Sequence, residues 1–160
     1  MGAITARGPA GGPPLARLFA IAYRQLIDGL HGRLQALGWA DVRPAFGFVL
    51  LAAREQPTSV TELAELMGVT KQAASKLVDA MVSGGYVRRG ADSQDGRQRP
   101  VSLTGRGEEL LSAVEQVYAE LEDRWAKVIG APHVDRMRRD LMHVLADPSD
   151  GQLPPVRPPW

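Results

Sequence analysis

Apolar residues recur at helical spacing along most of the chain, in stripes of unequal length. The first runs through Leu15, Leu18, Phe19, Ala22, Leu26, Leu30, Leu34 and Leu37. A second helix is predicted over 41–54, with Pro44 tolerated in its first turn and Phe46, Val49, Leu50 and Ala53 turned inward. Two shorter helices follow. Ser59 and Glu62 have the spacing of a capping box, and Val60, Leu63, Ala64 and Met67 then fall at i, i+3, i+4 and i+7. Gly68 supplies the backbone freedom for a tight break, and Thr70 has the hydroxyl to cap the next helix. There Ala74, Leu77, Val78 and Met81 repeat the inward spacing until Gly84-Gly85 ends it.

The period then changes. Tyr86-Val87-Arg88-Arg89 reads as a short strand, 90–100 as a loop, and Val101-Ser102-Leu103 as a returning strand. Thr104 is placed to cap another long stripe, through Leu110, Val114, Val117, Tyr118, Leu121, Trp125 and Val128. A last helix after Pro132 carries Val134, Met137, Leu141, Val144 and Leu145. The predicted fold is mainly α with a small β-hairpin wing. A winged helix-turn-helix occupies 41–103, and long N- and C-terminal helices occupy 15–40 and 104–147. The stretch 1–14 is rich in Gly, Ala and Pro, and 148–160 is Pro-rich; both are expected to be unstructured tails.

The inward spacing of the second short helix leaves Lys71, Gln72, Ser75, Lys76 and Asp79 facing outward. That face is cationic near its N-terminus, the end that a helix-turn-helix presents to base edges in the major groove. Lys71 and Lys76 can reach phosphates or guanine, and Gln72 can bond adenine in bidentate fashion. Alone, such a face is what any helix shows to water. The following hairpin separates the two readings. Its tip, Asp92-Ser93-Gln94-Asp95-Gly96-Arg97-Gln98-Arg99, has no core to fill. Arg97 and Arg99 flank a glutamine and suit a narrow, negative minor groove, which favours guanidinium over hydrated ammonium. Arg88 on the first strand joins them as a DNA-binding candidate. Asp92 and Asp95 would repel DNA if exposed, so a scaffolding role is expected for them, holding an arginine or capping loop amides.

Charge supports that placement once it is divided along the chain. The whole carries only +1, but 70–100 holds six basic residues against three acids, and 101–147 six against nine. Positive charge is thus concentrated where DNA would lie. At 160 residues and 44% apolar content the chain is expected to be one domain with a real core. Zero cysteines exclude a disulfide framework, a thiolate metal site and a thiol redox switch. No apolar run approaches the ~20 residues needed to span a bilayer, and no secretory pattern opens the chain. A cytoplasmic protein is expected. His31, His133 and His143 fall in separate segments, and the glycines form no phosphate loop. A metal site of His133, Asp135 and His143 can be drawn, as chance often allows. Neither enzyme activity nor a metal or cofactor is expected. The competing class is a winged-helix protein-interaction adaptor without sequence-specific DNA binding, against which the cationic face and the wing both weigh. The terminal helices outreach a small winged-helix core and need a partner surface, most simply that of a second copy.

The run 59–104 resembles the MarR family of bacterial transcription regulators, above all in Asp95-Gly96-Arg97 followed by Val101-Ser102-Leu103-Thr104-Gly105-Arg106-Gly107. The family's wing carries an Asp, any residue and an Arg, then a strand closing on Leu-Thr with a Gly shortly after. More loosely, the resemblance extends over 15–145. It implies a homodimer on a pseudo-palindromic operator in double-stranded DNA, with recognition helices in successive major grooves and Arg97 in the minor groove. Gly96 departs from the pattern, since many relatives carry a second arginine there, a role that would fall to Arg99. The resemblance also implies a repressor relieved by small aromatic or phenolic effectors bound in a crevice among the first, second and long fifth helices. Tyr23, His31, Trp39, Phe46 and Trp125 are the candidates to line it, although aromatics at helical spacing more often fill core volume.

Overall fold

The computed structural model describes residues 11–91, 99–146 and 151. The elements are α1 Leu15–Ala36, α2 Phe46–Glu55, α3 Val60–Met67, α4 Lys71–Ser83, β1 Val87–Arg89, β2 Val101–Leu103, α5 Gly105–Ile129 and α6 Ala131–Leu145. Residues 1–10, 92–98, 147–150 and 152–160 lie outside the described residues, and with them Asp92, Asp95, Gly96 and Arg97, to which the sequence assigns wing roles.

Side chains predicted to start helices do so. The Ser59 hydroxyl accepts from the Glu62 amide at 3.1 Å while the Glu62 carboxylate accepts from the Ser59 amide at 2.7 Å, closing the capping box of α3. The Ser59 amide and hydroxyl, with help from Thr58, hold the Glu62 carboxyl below its ordinary value. Thr70 accepts from the Ala73 amide at 3.2 Å and Thr104 from the Gly107 amide at 3.1 Å, capping α4 and α5. Gly68 ends α3 at φ +61°, a left-handed turn that favours glycine and swings the chain into α4.

Two features differ from the sequence expectation. Helix α2 begins at Phe46, not at Asp41, and Pro44 lies ahead of it in a turn closed by the Phe46 amide on the Arg43 carbonyl at 2.9 Å. Proline disfavours a helical predecessor, so Pro44 marks the boundary instead of occupying the first turn. The hairpin also has a third participant. Thr58 exchanges hydrogen bonds with Val101, at 3.1 and 2.7 Å, and so pins β2 to the start of α3. A bridge one residue long has no period by which a sequence could announce it.

The core gathers Leu34 of α1, Val49 and Leu50 of α2, Leu63 and Met67 of α3, Val78 and Met81 of α4, and Leu110 and Val117 of α5. Tyr86, between α4 and β1, is 0% exposed and the largest side chain so enclosed. Its carbonyl accepts from the Thr104 amide at 3.1 Å and the Thr104 hydroxyl at 3.0 Å. Helix α5 passes so near that a Cβ on Gly107 would sit 2.1 Å from that carbonyl oxygen.

The long stripes run past this core. Leu15 at 68%, Val128 at 83% and Val144 at 79% exposure lie near the ends of α1, α5 and α6. Arg33–Glu120, Arg54–Glu115 and Arg138–Glu122 ion pairs tie α5 to α1, α2 and α6. Such partly exposed pairs contribute ~0–1 kcal/mol each, so they orient α5 more than they hold it. Among the described residues no helix is long and apolar enough to cross a membrane.

The close approach at Gly107 is tested by comparing it with Gly105 in the same helix, where a Cβ would meet nothing within 4 Å. Gly107→Ala is expected to cost at least ~1–3 kcal/mol by overpacking. Gly105→Ala is expected to be neutral or to gain up to ~1 kcal/mol from helix propensity. Urea denaturation measures both, and equal midpoints would refute the contact.

Candidate nucleic-acid interface

Helix α4 buries Ala74, Val78 and Met81 and presents Lys71, Gln72, Lys76 and Asp79 to solvent, with Ser75 half-buried. Lys71 and Gln72 stand in the first turn beyond the Thr70 cap, where the unpaired amides of the helix end add partial positive charge. The turn from α3 leaves this end projecting, because the apolar faces of both helices are spent on the core.

Beside it lies the hairpin. Val87 pairs with Leu103, Arg88 with Ser102 and Arg89 with Val101 in an antiparallel register, and the Gly90 amide meets the Pro100 carbonyl at 2.7 Å to close the base of the loop. Arg88 and Arg99 are exposed. Arg89 points back over α4, meeting Asp79 at 2.6 Å and donating to Ser75 Oγ at 3.5 Å. Sequence reasoning assigned Arg89 no role, and it could not have found this one: the pairing crosses the turn between helix and strand, and neither element's period relates the two residues. Its effect on the face is direct. Arg89 offsets the charge of Asp79 and partly occupies Ser75, which leaves Lys71, Gln72 and Lys76 as the exposed polar side chains toward the N-terminal end of this face.

The other end of α4 is held by a cluster around Tyr86. Its hydroxyl donates to Asp41 Oδ1 at 2.7 Å. Burial, followed by the Asp41 hydrogen bond, raises the phenol above its ordinary value. The Arg106 guanidinium lies 5.0 Å from the Trp39 ring centroid and 5.1 Å from that of Tyr86. It also donates through Nε to the Gly84 carbonyl at 3.1 Å, at the C-cap of α4.

Between α1, α2 and α5 lies a largely apolar cavity of about 290 Å³, to which Tyr23 and His31 both contribute. The other three aromatic candidates are not among its lining residues. Trp39 and Phe46 pack on Tyr86, with ring centroids 6.1 and 5.8 Å away, and Trp125 lies half-buried farther along α5. The cavity is walled instead by Phe48 of α2, Tyr118 of α5 and Val42, Arg43 and Pro44 of the α1–α2 connection. Tyr118 sits in the predicted α5 stripe, so its inward face was legible, whereas its neighbours were not. Burial, reinforced by Tyr23, raises the Tyr118 phenol above its ordinary value. Among the described residues His31 Nε2 is buried with no hydrogen-bond partner. His133, Asp135 and His143 do not come together, since no group of three such side chains fit for a metal occurs among the described residues.

Comparison with known proteins gives concordant matches. Residues 48–98 match the model of the MarR family. ExpG, an exopolysaccharide II synthesis transcriptional activator of Rhizobium meliloti, is 30% identical over 127 residues, covering 79% of this chain and 62% of that protein. The chain therefore spans less than two thirds of the length of that curated relative. A Mycobacterium tuberculosis MarR family protein in complex with salicylic acid superposes with a TM-score of 0.64 at 27% identity, over 84% of this chain and 98% of that one. Wild-type MarR of E. coli in its apo form gives a TM-score of 0.67 at 26% identity, over 82% and 97%.

The Arg89–Asp79 pair yields a direct expectation. Asp79→Asn removes a carboxylate from the α4 face and releases Arg89 toward phosphate. Affinity for arbitrary duplex should rise, and the slope of log K against log salt should steepen by about 0.9 for one added phosphate contact. Fluorescence anisotropy over a salt series measures this. An unchanged slope would place Arg89 away from DNA.

Proposed function

We propose that the chain is a transcriptional regulator of the MarR family, whose model matches residues 48–98, and that it reads a pseudo-palindromic duplex as a homodimer and releases it when a small aromatic ligand fills the α1–α2–α5 cavity. The observation that carries the reading is the projecting N-terminal face of α4, with Lys71, Gln72 and Lys76 exposed and Arg88 of the hairpin exposed as well. Gln72 supplies bidentate recognition of adenine, and the lysines and Arg88 neutralise phosphate. Arg97, with Arg99, enters the minor groove from the wing, a role drawn from the sequence pattern.

Dimerisation is supported by the apolar ends of the long helices. Leu15, Leu18 and Phe19 on α1, and Met142, Val144 and Leu145 on α6, are all exposed within one chain, and a second copy offers the same unsatisfied surfaces. Two copies related by a two-fold axis would set two reading helices on one side of a duplex. The ligand reading is supported by His31 Nε2, a buried polar atom without a partner among the described residues, on a residue that lines this largely apolar cavity beside Arg43 and Glu115. An aromatic ring bearing a hydroxyl or carboxylate would fill the volume and satisfy that nitrogen. Salicylic acid, bound by the mycobacterial relative, has this chemistry. The regulatory sense proposed is repression relieved by ligand, exerted in the cytoplasm where the chromosome lies.

Affinity selection from random duplexes should recover one motif with half-sites centred ~10 bp apart. On that duplex Gln72→Ala should cost ~1–3 kcal/mol, confined mainly to one base position. Arg97→Ala should weaken binding strongly whatever the major-groove sequence. Recovery of no shared motif, or wild-type affinity in Arg97→Ala, would overturn the assignment. Separately, sedimentation equilibrium at micromolar concentration should return twice the chain mass. A monomer throughout would remove the basis for two-fold reading.

A further inference from the structure

We propose that Asp41, Tyr86 and Arg106 are positioning residues for the reading helix and form a hydrogen-bonded relay from the wall of the α1–α2–α5 cavity to the C-terminal end of α4. The inference deepens the ligand-responsive reading above and rests on it. Its starting point is the two-sided character of the segment 39–48. Val42, Arg43, Pro44, Gly47 and Phe48 line the cavity. Trp39, Asp41 and Phe46, interleaved with them, engage Tyr86: Asp41 accepts from its hydroxyl at 2.7 Å, and the two rings pack 6.1 and 5.8 Å from it. A stretch this short cannot shift one side without shifting the other.

On the far side, Tyr86 follows directly from the reading helix. Its amide donates to the Met81 carbonyl at 2.9 Å, inside the last turn of α4. Arg106 joins the same points from α5, donating through Nη2 to the Tyr86 hydroxyl at 3.5 Å and through Nε to the Gly84 carbonyl at 3.1 Å. The path is therefore cavity wall, Asp41, Tyr86 hydroxyl, Arg106, C-cap of α4, with a directional bond at each link beyond the wall. Packing alone does not require this arrangement, because phenylalanine would fill most of the same volume. The phenol oxygen is bound on both sides, and its ring is 0% exposed, so no slack separates the segment from the helix. Close-packed interiors respond to such displacement by moving between discrete arrangements. A ligand that spreads the cavity would therefore re-aim α4 from its C-terminal end while its exposed N-terminal face keeps its own structure.

The test fills the cavity from within. A Cβ on Gly47 would meet nothing within 4 Å, and the residue lines the cavity, so Gly47→Leu places an apolar group there without any added molecule. Amide hydrogen exchange at Gly84, Gly85 and Tyr86 reads the response with no DNA present, and affinity for the selected duplex reads its consequence. Gly47→Leu is expected to change exchange at those amides several-fold in the otherwise native chain and to leave it unchanged in an Asp41→Ala or Tyr86→Phe background. The matching cycle in DNA affinity should be non-additive by about fivefold or more. If Gly47→Leu does not fold, Gly47→Ala with saturating salicylate supplies the same perturbation. Amides that do not respond to filling, or that respond equally in all backgrounds, would overturn the relay. Exchange coupling without binding to any selected duplex would uphold the relay and overturn the proposed function. A duplex released by salicylate equally from wild type and Asp41→Ala would do the reverse.

Discussion

The burial of one phenol, Tyr86, sets the positions of most other parts of the reading head. A buried ring stands two residues beyond the C-cap, Gly84, of the proposed reading helix and immediately before the hairpin. Enclosing its hydroxyl is tolerable because it donates to Asp41 and accepts from Arg106. Its carbonyl takes Thr104, which in turn caps α5, so the start of the long helix is registered against the end of the short one. Gly107 follows from the same closeness, as does the tilted packing of Trp39 and Phe46 against the ring. Four segments that are distant in sequence thereby acquire fixed relative positions from a single residue.

From this anchorage the functional face follows with little further expense of polar chemistry. Helix α4 spends its apolar side on the core and leaves its N-terminal turn free to project. Arg89 ties the hairpin to the helix through Asp79, so that strand β1 lies against the α4 face. Net charge near zero is compatible with DNA binding because the balance is spatial. Several acids of α5 are matched by arginines of α1, α2 and α6, whereas Lys71, Lys76 and Arg88 lie exposed on the other side of the fold's division of labour. The same α5 that bears those acids carries apolar residues beyond the core, and a second copy is the simplest cover for them.

Much of this was legible in the sequence, for identifiable reasons. Capping by Ser59, Thr70 and Thr104 is local, and each hydroxyl formed the bond its position predicted. The inward faces of α3 and α4 followed from period alone. Contacts between elements were hidden. Period indicates that Trp39 and Phe46 turn inward, but not that they meet Tyr86 rather than the cavity, where Phe48 and Tyr118 stand instead. Pro44 was assigned to the first turn of a helix because proline is tolerated there. Its restriction on the preceding residue proved the stronger effect and moved the start to Phe46. The Thr58–Val101 bridge and the Arg89–Asp79 pair left no local trace, because each joins residues whose own elements make no demand on the other.

The central claim is that two copies of one rigid head, each anchored through Tyr86, place the first turn of α4 in successive major grooves. Dimethyl sulfate protection on the selected duplex tests it most directly, because the reagent reports guanine N7 in the major groove. Two clusters of guanine protection on one face of the DNA, centred ~10 bp apart and weakened by Lys71→Ala, are the expected result. Protection confined to a single cluster, or none despite tight binding, would contradict the account.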